Sequence, residues 1–234
     1  MKLKGRLALI ASFVPACTMV CDVGTDHGYI PVYLVKKGVC QKALAMDINE
    51  GPLIAAKENI SYYGLQEKIE TRLGNGLEPL ENDVADVIVI AGMGGILIKD
   101  ILGASIDKAK ASNALILQPM NAHEILREWL FKNGFEIIDE QLTNEESKIY
   151  NVMKVKWTGC TASYEIIDYY IGRKLIERGG DLFQSYMKRK IKQTIKVIDG
   201  LKRSKEPDEA YLRLQNYLMD KYERIINSLE GKRI

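Results

Sequence analysis

Hydrophobic residues in the first two thirds of the chain form short continuous runs separated by amphipathic stretches. Runs with little alternation are typical of parallel strands buried on both faces, and segment 85–92 is the clearest example. Helical spacing of apolar residues predicts a helix at 3–13 and further helices beginning at Tyr29, Asn49 and Glu124 and after Gly95. The pattern predicts strands at 18–22, 42–47, 69–74, 85–92 and 114–119.

Two further apolar segments, 135–142 and 148–157, are separated only by the polar stretch 143–147. So short a connection predicts an antiparallel hairpin, which turns a mostly parallel sheet into a mixed one. An NAD-binding Rossmann sheet ends instead in a sixth parallel strand. The pattern therefore predicts an α/β fold of the Rossmann-like, seven-stranded class I methyltransferase type.

The strand pattern ends near residue 160, and the remaining chain has the pattern of helices. Apolar residues recur at helical spacing over 164–176, 182–198 and 211–229, with a turn at 204–207. The last two segments predict antiparallel helices in a coiled-coil hairpin. We expect a cofactor-binding domain at residues 1–159 and a helical extension at residues 160–234.

The charge distribution divides the chain at the same point. All 234 residues carry 33 basic and 31 acidic side chains, a formal charge of +2. Up to Gly159 there are 17 basic and 20 acidic residues, a net −3, so the remaining 16 and 11 give +5. Eight of the basic residues lie between Lys188 and Lys205. Such a run is usually a solvated helix face, and the alternative is a surface for RNA phosphates.

Other bulk features argue against several classes of protein. No apolar run approaches the roughly 20 residues of a membrane helix. The basic N-terminal stretch leads through Pro15 into a strand, so we interpret it as a first helix and not as a signal peptide. The four cysteines have no C-x-x-C spacing, which favours free thiols and no metal site. We expect a cytoplasmic protein with no membrane or metal partner.

The segment after the first strand has the residues most suggestive of ligand binding. Gly24 and Gly28 allow a tight turn, and the helix beginning at Tyr29 offers unpaired N–H groups. In the dinucleotide motif G-x-G-x-x-G the second glycine makes room for a pyrophosphate, whereas this chain has Asp26 there. A carboxylate at that position disfavours NAD and favours a cationic ligand such as S-adenosylmethionine.

Polar residues at the ends of the first three strands suit other parts of that ligand. Asp22 is a candidate acceptor for its ammonium group. Asp47, followed by Ile48, has two carboxylate oxygens for the ribose hydroxyls. Asn75 and Gly76 follow the third strand, where a side-chain amide can hydrogen-bond to an adenine edge. We predict that all five residues bind the cofactor.

The fourth strand ends in Ala91, Gly92 and Met93, at the edge where open α/β sheets bind ligands. We assign these three residues to the cofactor site, next to room for a substrate base. The Asn/Asp-Pro-Pro-Tyr/Phe motif of many amino-methylating enzymes is absent at this point, which argues against exocyclic N6 chemistry of that type. Methylation of a ring nitrogen remains open. His27 lies inside the first turn and is a candidate contact to substrate or cofactor.

Several short motifs follow one another in order along the first two thirds of the chain, and Asp-His-x-Tyr followed by Ala-Gly-Met-Gly-Gly is the most specific pair. The segments are 11–15, 22–31, 51–52, 74–77, 90–95, 115–119, 126–130 and 148–150. They resemble the bacterial tRNA (adenine-22-N1)-methyltransferases, the TrmK-like family. Two positions depart from that pattern: Asp47 stands where the family often has Glu, and Met120 where Asn is usual, followed here by Asn121.

The resemblance implies transfer of the S-adenosylmethionine methyl group to N1 of adenine 22, in the D-arm region of tRNA. N1 attacks through its own lone pair, so positioning dominates the acceleration. We expect Asp26 near N6, with His27 and Tyr29 orienting or stacking on a base turned out of the RNA. The helical extension would bind phosphates through Lys188, Arg189, Lys190, Lys192, Lys196, Lys202 and Arg203.

Two other functions stay open from the residues. A methyltransferase for a small molecule or a protein would need neither the basic extension nor RNA. A non-catalytic RNA-binding protein would retain only a vestigial cofactor pocket, although Asp22, Gly24 and Asp47 are all present. A dehydrogenase is disfavoured by Asp26 and by the terminal hairpin. We expect a monomer or weak homodimer with tRNA as its partner.

Overall fold

The computed structural model describes residues 1–80, 85–160 and 163–230. The chain forms two compact units: Met1–Tyr164, called the first unit, and Glu165–Ile234, called the second unit. The division follows residue 164, whereas the sequence pattern places it after residue 159. None of the helices in the described ranges is long and apolar enough to cross a membrane.

The first unit is a seven-stranded sheet with helices between the strands. Its strands are β1 (Cys17–Val23), β2 (Cys40–Asp47), β3 (Ile69–Leu73), β4 (Val87–Met93), β5 (Ala114–Pro119), β6 (Phe135–Glu145) and β7 (Lys148–Trp157). Its helices are α1 (Gly5–Phe13), α2 (Tyr29–Lys36), α3 (Glu50–Tyr62), α4 (Gly95–Ala104), α5 (Ile106–Ala111) and α6 (His123–Lys132), with a 3₁₀ turn at Glu78–Leu80.

The strands lie in the order β3-β2-β1-β4-β5-β7-β6. Strands β1 to β5 are parallel, and β7 is antiparallel to both β5 and β6. The predicted mixed sheet is confirmed. The connection after β1 leads to β2 and the connection after β4 leads to β5, in opposite directions, which opens a crevice between the carboxyl ends of β1 and β4. The candidate residues at the ends of β1, β2 and β4 therefore share one edge of the sheet.

Burial explains why the central strands read as unbroken apolar runs. The four residues from Val87 to Ile90 are fully buried because helices cover both faces of the sheet. Ile10 and Phe13 of α1 belong to the same core as Val20 of β1 and Ile116 of β5. The N-terminal segment is thus a helix, as predicted, and packs into the core of the first unit. All four cysteines are free thiols.

Two local features of the first unit differ from the sequence prediction. Strand β6 continues to Glu145, so 143–145 pair with β7 and only Glu146 and Ser147 form the turn. Polar side chains are compatible with these strand positions because none of the three is buried: Asn144 and Glu145 are exposed and Thr143 is partly exposed, at the end of the hairpin. Helix α5 was not predicted, since its six residues are too few to show a clear period.

A buried ion pair connects α6 to the terminal hairpin. The guanidinium of Arg127 donates to a carboxylate oxygen of Glu140 at 2.6 Å, and both side chains are fully buried. The same oxygen accepts from the Asn151 amide at 2.9 Å. Removing one partner from such a pair typically costs about 3–5 kcal/mol. We interpret this pair as a structural element of the first unit.

The second unit is helical, as predicted, but its first helix is divided. The structure has α7 (Ile166–Tyr170), α8 (Arg173–Arg178), α9 (Asp181–Arg203) and α10 (Glu209–Glu230). The predicted continuous helix breaks at Gly172, whose φ of +91° is not helical. The apolar residues Ile167, Ile171 and Leu175 are nevertheless all buried, as their spacing predicts.

Helices α9 and α10 pack against each other. Their antiparallel arrangement is clear from Gly179, just before α9, which lies against Leu229 near the end of α10. The buried faces include Tyr186 and Ile198 of α9 and Leu218 of α10. This confirms a helical hairpin. The helical spacing of apolar residues over 182–198 also predicts Ile195 on this face, but Ile195 is 43% exposed and Thr194 is buried instead.

Candidate active site

The backbone after β1 turns sharply because of two hydrogen bonds to β2. The N–H groups of Gly24 and Thr25 both donate to the Met46 carbonyl oxygen, at 2.8 and 2.9 Å. Gly24 has a φ of +75°, and a Cβ at this position would collide with the Met93 methyl group. A glycine is therefore required both by the turn and by the close approach of the β4 end.

Asp22 is a buried carboxylate at the end of β1, only 5% exposed. Thr25 donates its hydroxyl hydrogen to Asp22 Oδ2 at 2.7 Å, and no described residue donates to the other oxygen. Burial raises the pKa of Asp22 to about 6, although the Thr25 hydrogen bond lowers it; the charge of Asp47 raises it further. A buried carboxylate with an open oxygen is suited to a cationic partner.

The next residues form an exposed polar and aromatic turn. Asp26 has 81% of its side chain exposed and lies 3.6 Å from His27 Nε2, whose side chain is 47% exposed. The His27 and Tyr29 rings stack with centroids 5.1 Å apart. The Asn59 amide of α3 donates to the His27 carbonyl oxygen at 3.0 Å, which fixes the turn from the other side. These three candidate catalytic residues are adjacent and accessible.

The end of β4 is held by the buried side chain of Gln118, from β5. Its Oε1 accepts from the Gly92 N–H at 3.1 Å and from Arg6 Nη1 at 2.7 Å. Arg6 belongs to α1, and its guanidinium also lies 5.5 Å from the centroid of the Tyr150 ring. Four elements, α1, β4, β5 and β7, thereby meet at one position.

These features surround a cavity of about 280 Å³. Seven of the sequence-predicted site residues line it: Asp22, Gly24, Asp26, His27, Tyr29, Ala91 and Gly92. Arg6, Leu7, Thr25 and Ile30 complete the wall. The cavity therefore combines carboxylates, an arginine and aromatic rings, which is the chemistry expected for a charged, ring-containing ligand.

The remaining predicted cofactor residues lie outside this cavity but on the same edge of the sheet. Asp47 Oδ1 accepts from the Asn49 N–H at 2.8 Å, and Ile48 is 62% exposed. Asn75, exposed, and Gly76 follow the end of β3, where Gly74 N–H donates to the Asp47 carbonyl oxygen at 2.9 Å. The ends of β2 and β3 thus place these residues beside one another. Met93 lies against Gly24.

Met120, one of the two positions that depart from the family pattern, lies beside the end of β4, where its N–H donates to the Met93 carbonyl oxygen at 2.8 Å. Met120 is 43% exposed, and its sulfur accepts from Gln118 Nε2 at 3.5 Å. The side chain of the next residue, Asn121, lies close to Gly94, where its Oδ1 would be 3.0 Å from a Cβ on that glycine. An amide is therefore present at the end of β4, supplied from the position after Met120.

The seven cations predicted to bind RNA all lie on α9. Six of them are exposed, and Lys190 is half-buried with its ammonium 5.7 Å from the Tyr186 ring centroid. Lys188, Lys192 and Lys196 follow at intervals of four residues and so share one face of the helix.

Two polar residues of the cavity wall, Thr25 and Arg6, were not predicted from the sequence. Thr25 is buried within the turn, and its role follows from its hydrogen bond to Asp22. Arg6 belongs to none of the motifs and reaches the cavity only through the packing of α1. In the described part of the chain, no group of three or more His, Cys, Asp or Glu residues is placed to hold a metal ion.

Comparison with known proteins agrees with this geometry. A family model described as a methyltransferase domain matches residues 3–153. The tRNA (adenine(22)-N(1))-methyltransferase of Bacillus subtilis (strain 168) is 39% identical over 173 residues, which are 74% of this chain and 72% of that protein.

Solved structures extend the similarity to nearly the whole chain. The crystal structure of the B. subtilis m1A22 tRNA methyltransferase TrmK has a TM-score of 0.87 at 30% identity, covering 96% of this chain and 99% of that one. The structure of M. capricolum TrmK in complex with S-adenosyl-homocysteine has a TM-score of 0.84 at 26% identity, covering 98% and 100%. The resemblance seen in the motifs is confirmed: the chain belongs to the tRNA (adenine(22)-N1)-methyltransferase family.

Proposed function

We propose that this protein transfers a methyl group from S-adenosylmethionine to N1 of adenine 22 in tRNA. The observation that carries the proposal is the cavity at the end of β1, where a buried carboxylate adjoins the exposed Asp26, His27 and Tyr29. Family membership supports the same substrate, because the B. subtilis relative is a tRNA (adenine(22)-N(1))-methyltransferase.

The residues around the cavity fit the parts of S-adenosylmethionine. The open oxygen of Asp22 is suited to its ammonium group, and Gly24 lets the ligand approach the backbone closely. Asp47 would accept from the ribose hydroxyls, with Ile48 and Gly76 beside the ring. Asn75 would hydrogen-bond to the adenine edge. Ala91, Gly92 and Met93 would border the methyl group.

The cofactor, when bound, supplies an electrophilic methyl group for in-line displacement by the substrate nitrogen. The protein's task is to hold adenine N1 at that carbon, because N1 has its own lone pair and needs no prior deprotonation. Positive charge develops on the ring during attack. Asp26 is our proposed catalytic residue, since its carboxylate would stabilise this charge near N6.

His27 and Tyr29 would position the base. Their stacked rings are partly exposed beside Asp26, so they present an aromatic face at the cavity mouth. Adenine N1 takes part in base pairing or tertiary contacts, so the nucleotide must leave its stack to reach the cavity. Stacking on an aromatic side chain would offset part of that cost.

The cations of α9 would bind RNA phosphates, which explains why a catalytic unit is joined to a basic helical hairpin. The seven residues are Lys188, Arg189, Lys190, Lys192, Lys196, Lys202 and Arg203. We further propose that the protein acts on tRNA in the cytoplasm as a monomer or weak homodimer.

Methyl transfer to a defined tRNA tests this function. The protein would be incubated with S-adenosylmethionine carrying a labelled methyl group and an unmodified tRNA with adenosine at position 22. Nucleoside analysis should detect 1-methyladenosine, and the product should vanish when position 22 is guanosine. A product methylated at N6 would contradict the assigned atom. Absence of transfer despite cofactor binding would favour a small-molecule or protein substrate.

A further inference from the structure

The structure leaves one charged group of the cavity without an assigned role, the guanidinium of Arg6. Arg6 lies in the first turn of α1 and lines the cavity together with Asp22, Gly24, Ala91 and Gly92. Its Nη1 is fixed by the 2.7 Å hydrogen bond to Gln118, a side chain with no solvent exposure. The guanidinium is therefore held in a defined place at the cavity wall.

Its charge is not neutralised by the described part of the protein. Several arginine side chains elsewhere in these ranges pair with carboxylates, among them Arg127 with Glu140 and Arg173 with Asp168, both at 2.6 Å. The guanidinium of Arg6 forms no ion pair with a described residue. The Glu145 carboxylate instead accepts from the Arg6 backbone N–H at 3.4 Å. A half-buried cation of this kind favours an anionic ligand.

The same cavity contains the opposite charge. Asp22 is buried at the end of β1 with one oxygen open. A cavity lined by both a carboxylate and a guanidinium is complementary to an α-amino acid zwitterion, which has an ammonium and a carboxylate on one carbon. S-adenosylmethionine ends in such a group.

We propose that Arg6 binds the α-carboxylate of the methionine part of the cofactor, while Asp22 binds its ammonium group. The assignment rests on the proposed function for the identity of the cofactor. A cation here would otherwise repel the sulfonium, and pairing with the carboxylate removes that repulsion. An RNA phosphate is the other anion available, but Arg6 shares its cavity with an almost fully buried aspartate, whereas phosphates of a bound RNA remain at the solvent surface.

The neighbouring residues support this role. Gln118 Oε1 holds both Arg6 Nη1 and the Gly92 N–H, so the guanidinium is pre-organised beside the β4 end. A Cβ on Gly92 would lie 3.1 Å from Arg6 Nη1, so glycine leaves space around that nitrogen. Pre-organisation reduces the entropy lost when a ligand binds.

Equilibrium binding of two cofactor fragments tests the assignment without relying on catalysis. S-adenosylhomocysteine has the amino acid group, whereas 5′-methylthioadenosine lacks it. Arg6→Gln should weaken S-adenosylhomocysteine binding by about 10- to 100-fold, the usual effect of losing a hydrogen-bonded charge partner. It should leave 5′-methylthioadenosine binding within twofold of the parent. Arg6→Lys should recover part of the lost affinity.

Lys4→Gln is the matched control. Lys4 is exposed and precedes the same helix, and its replacement changes the net charge by the same amount as Arg6→Gln. It should leave both affinities unchanged. If Arg6→Gln weakens the binding of both ligands equally, the residue only supports the structure of the cavity wall, and the proposal is overturned. So would unchanged S-adenosylhomocysteine affinity with a raised KM for tRNA, which would assign Arg6 to a phosphate. If the parent methylates adenine 22, the proposed function stands in either case.

Discussion

The two units of this protein bury and expose charge in different ways. The first unit places polar groups inside its fold, including Asp22 at the cavity and the Arg127–Glu140 pair, each fixed by a hydrogen bond. The second unit presents a series of exposed cations on α9, next to an apolar face that packs on α10. Chemistry at one atom needs groups held in fixed positions, whereas phosphate binding needs mainly charge. We therefore expect variants in the first unit to change cofactor binding or turnover and variants on α9 to change RNA affinity.

Asp26→Ala should give the largest effect. Loss of its carboxylate removes the proposed stabilisation of charge on the adenine ring, so kcat should fall about 100-fold or more. The affinity for tRNA should be nearly unchanged, because Asp26 is not among the α9 cations proposed to bind RNA phosphates. Steady-state methylation together with filter binding of tRNA measures both quantities. Turnover near the parental rate would rule out the role proposed for Asp26.

Gly24→Ala should give the next largest effect, and Gly38→Ala is its matched control. Both glycines have a φ near +70°, so alanine at either should cost about 1–2 kcal/mol of folding free energy. Only at Gly24 would the new Cβ also meet Met93, since Gly38 has open space around it. We expect a tenfold or greater loss of cofactor affinity for Gly24→Ala alone. Calorimetric binding and thermal unfolding measure the two effects, and equal cofactor affinity in both variants would contradict the close approach at Gly24.

Asp22→Asn should weaken cofactor binding by about tenfold at pH 7, because the ammonium loses a charged partner. In the parent, affinity should fall about tenfold between pH 7 and pH 5, as a carboxyl with a pKa of about 6 becomes protonated. The cofactor's amino group stays protonated over this range. Titrations at several pH values should show this dependence for the parent and none for the variant.

The same pKa predicts that the stability of the cofactor-free protein decreases with rising pH, whereas its affinity for the cofactor increases. The folded pKa of Asp22 lies above its ordinary value of 3.8, so its contribution to stability is complete below about pH 4 and is lost as pH rises through 6. Asp22→Asn should therefore raise the melting temperature of the cofactor-free protein at pH 7 and leave it unchanged near pH 4. A variant less stable than the parent at pH 7 would contradict the assigned burial cost.

Simultaneous replacement of Lys188, Lys192 and Lys196 by Gln should give the smallest effect, about a fivefold loss of tRNA affinity at physiological salt. The slope of log affinity against log salt should decrease by about 2 to 3. The control variant replaces Lys37, Lys42 and Lys68, exposed residues near the edge of the sheet opposite the cavity. It has the same net charge but should bind tRNA like the parent. Equal losses in both variants would indicate a general charge effect and not a surface on α9.

The sequence was most informative where structure depends on neighbouring residues. The Gly24 turn, the β4 run and the two long helices of the second unit all follow from short-range patterns. The spacing of apolar residues does not indicate the interruption at Gly172, because that spacing continues across it. The predicted burial of Ile195 is wrong, because α9 has more apolar residues near this face than the face can bury. Arg6 could not be found this way, since only the packing of α1 brings it to the cavity.

Single-turnover methylation measured over a range of tRNA concentrations tests the separation of roles most directly. The parent, Asp26→Ala and the triple variant of Lys188, Lys192 and Lys196 would be compared with saturating cofactor. Asp26→Ala should lower the limiting rate and leave the half-saturating tRNA concentration unchanged. The triple variant should raise the half-saturating concentration and leave the limiting rate unchanged. The reverse assignment, or a lower limiting rate in the triple variant, would contradict the account.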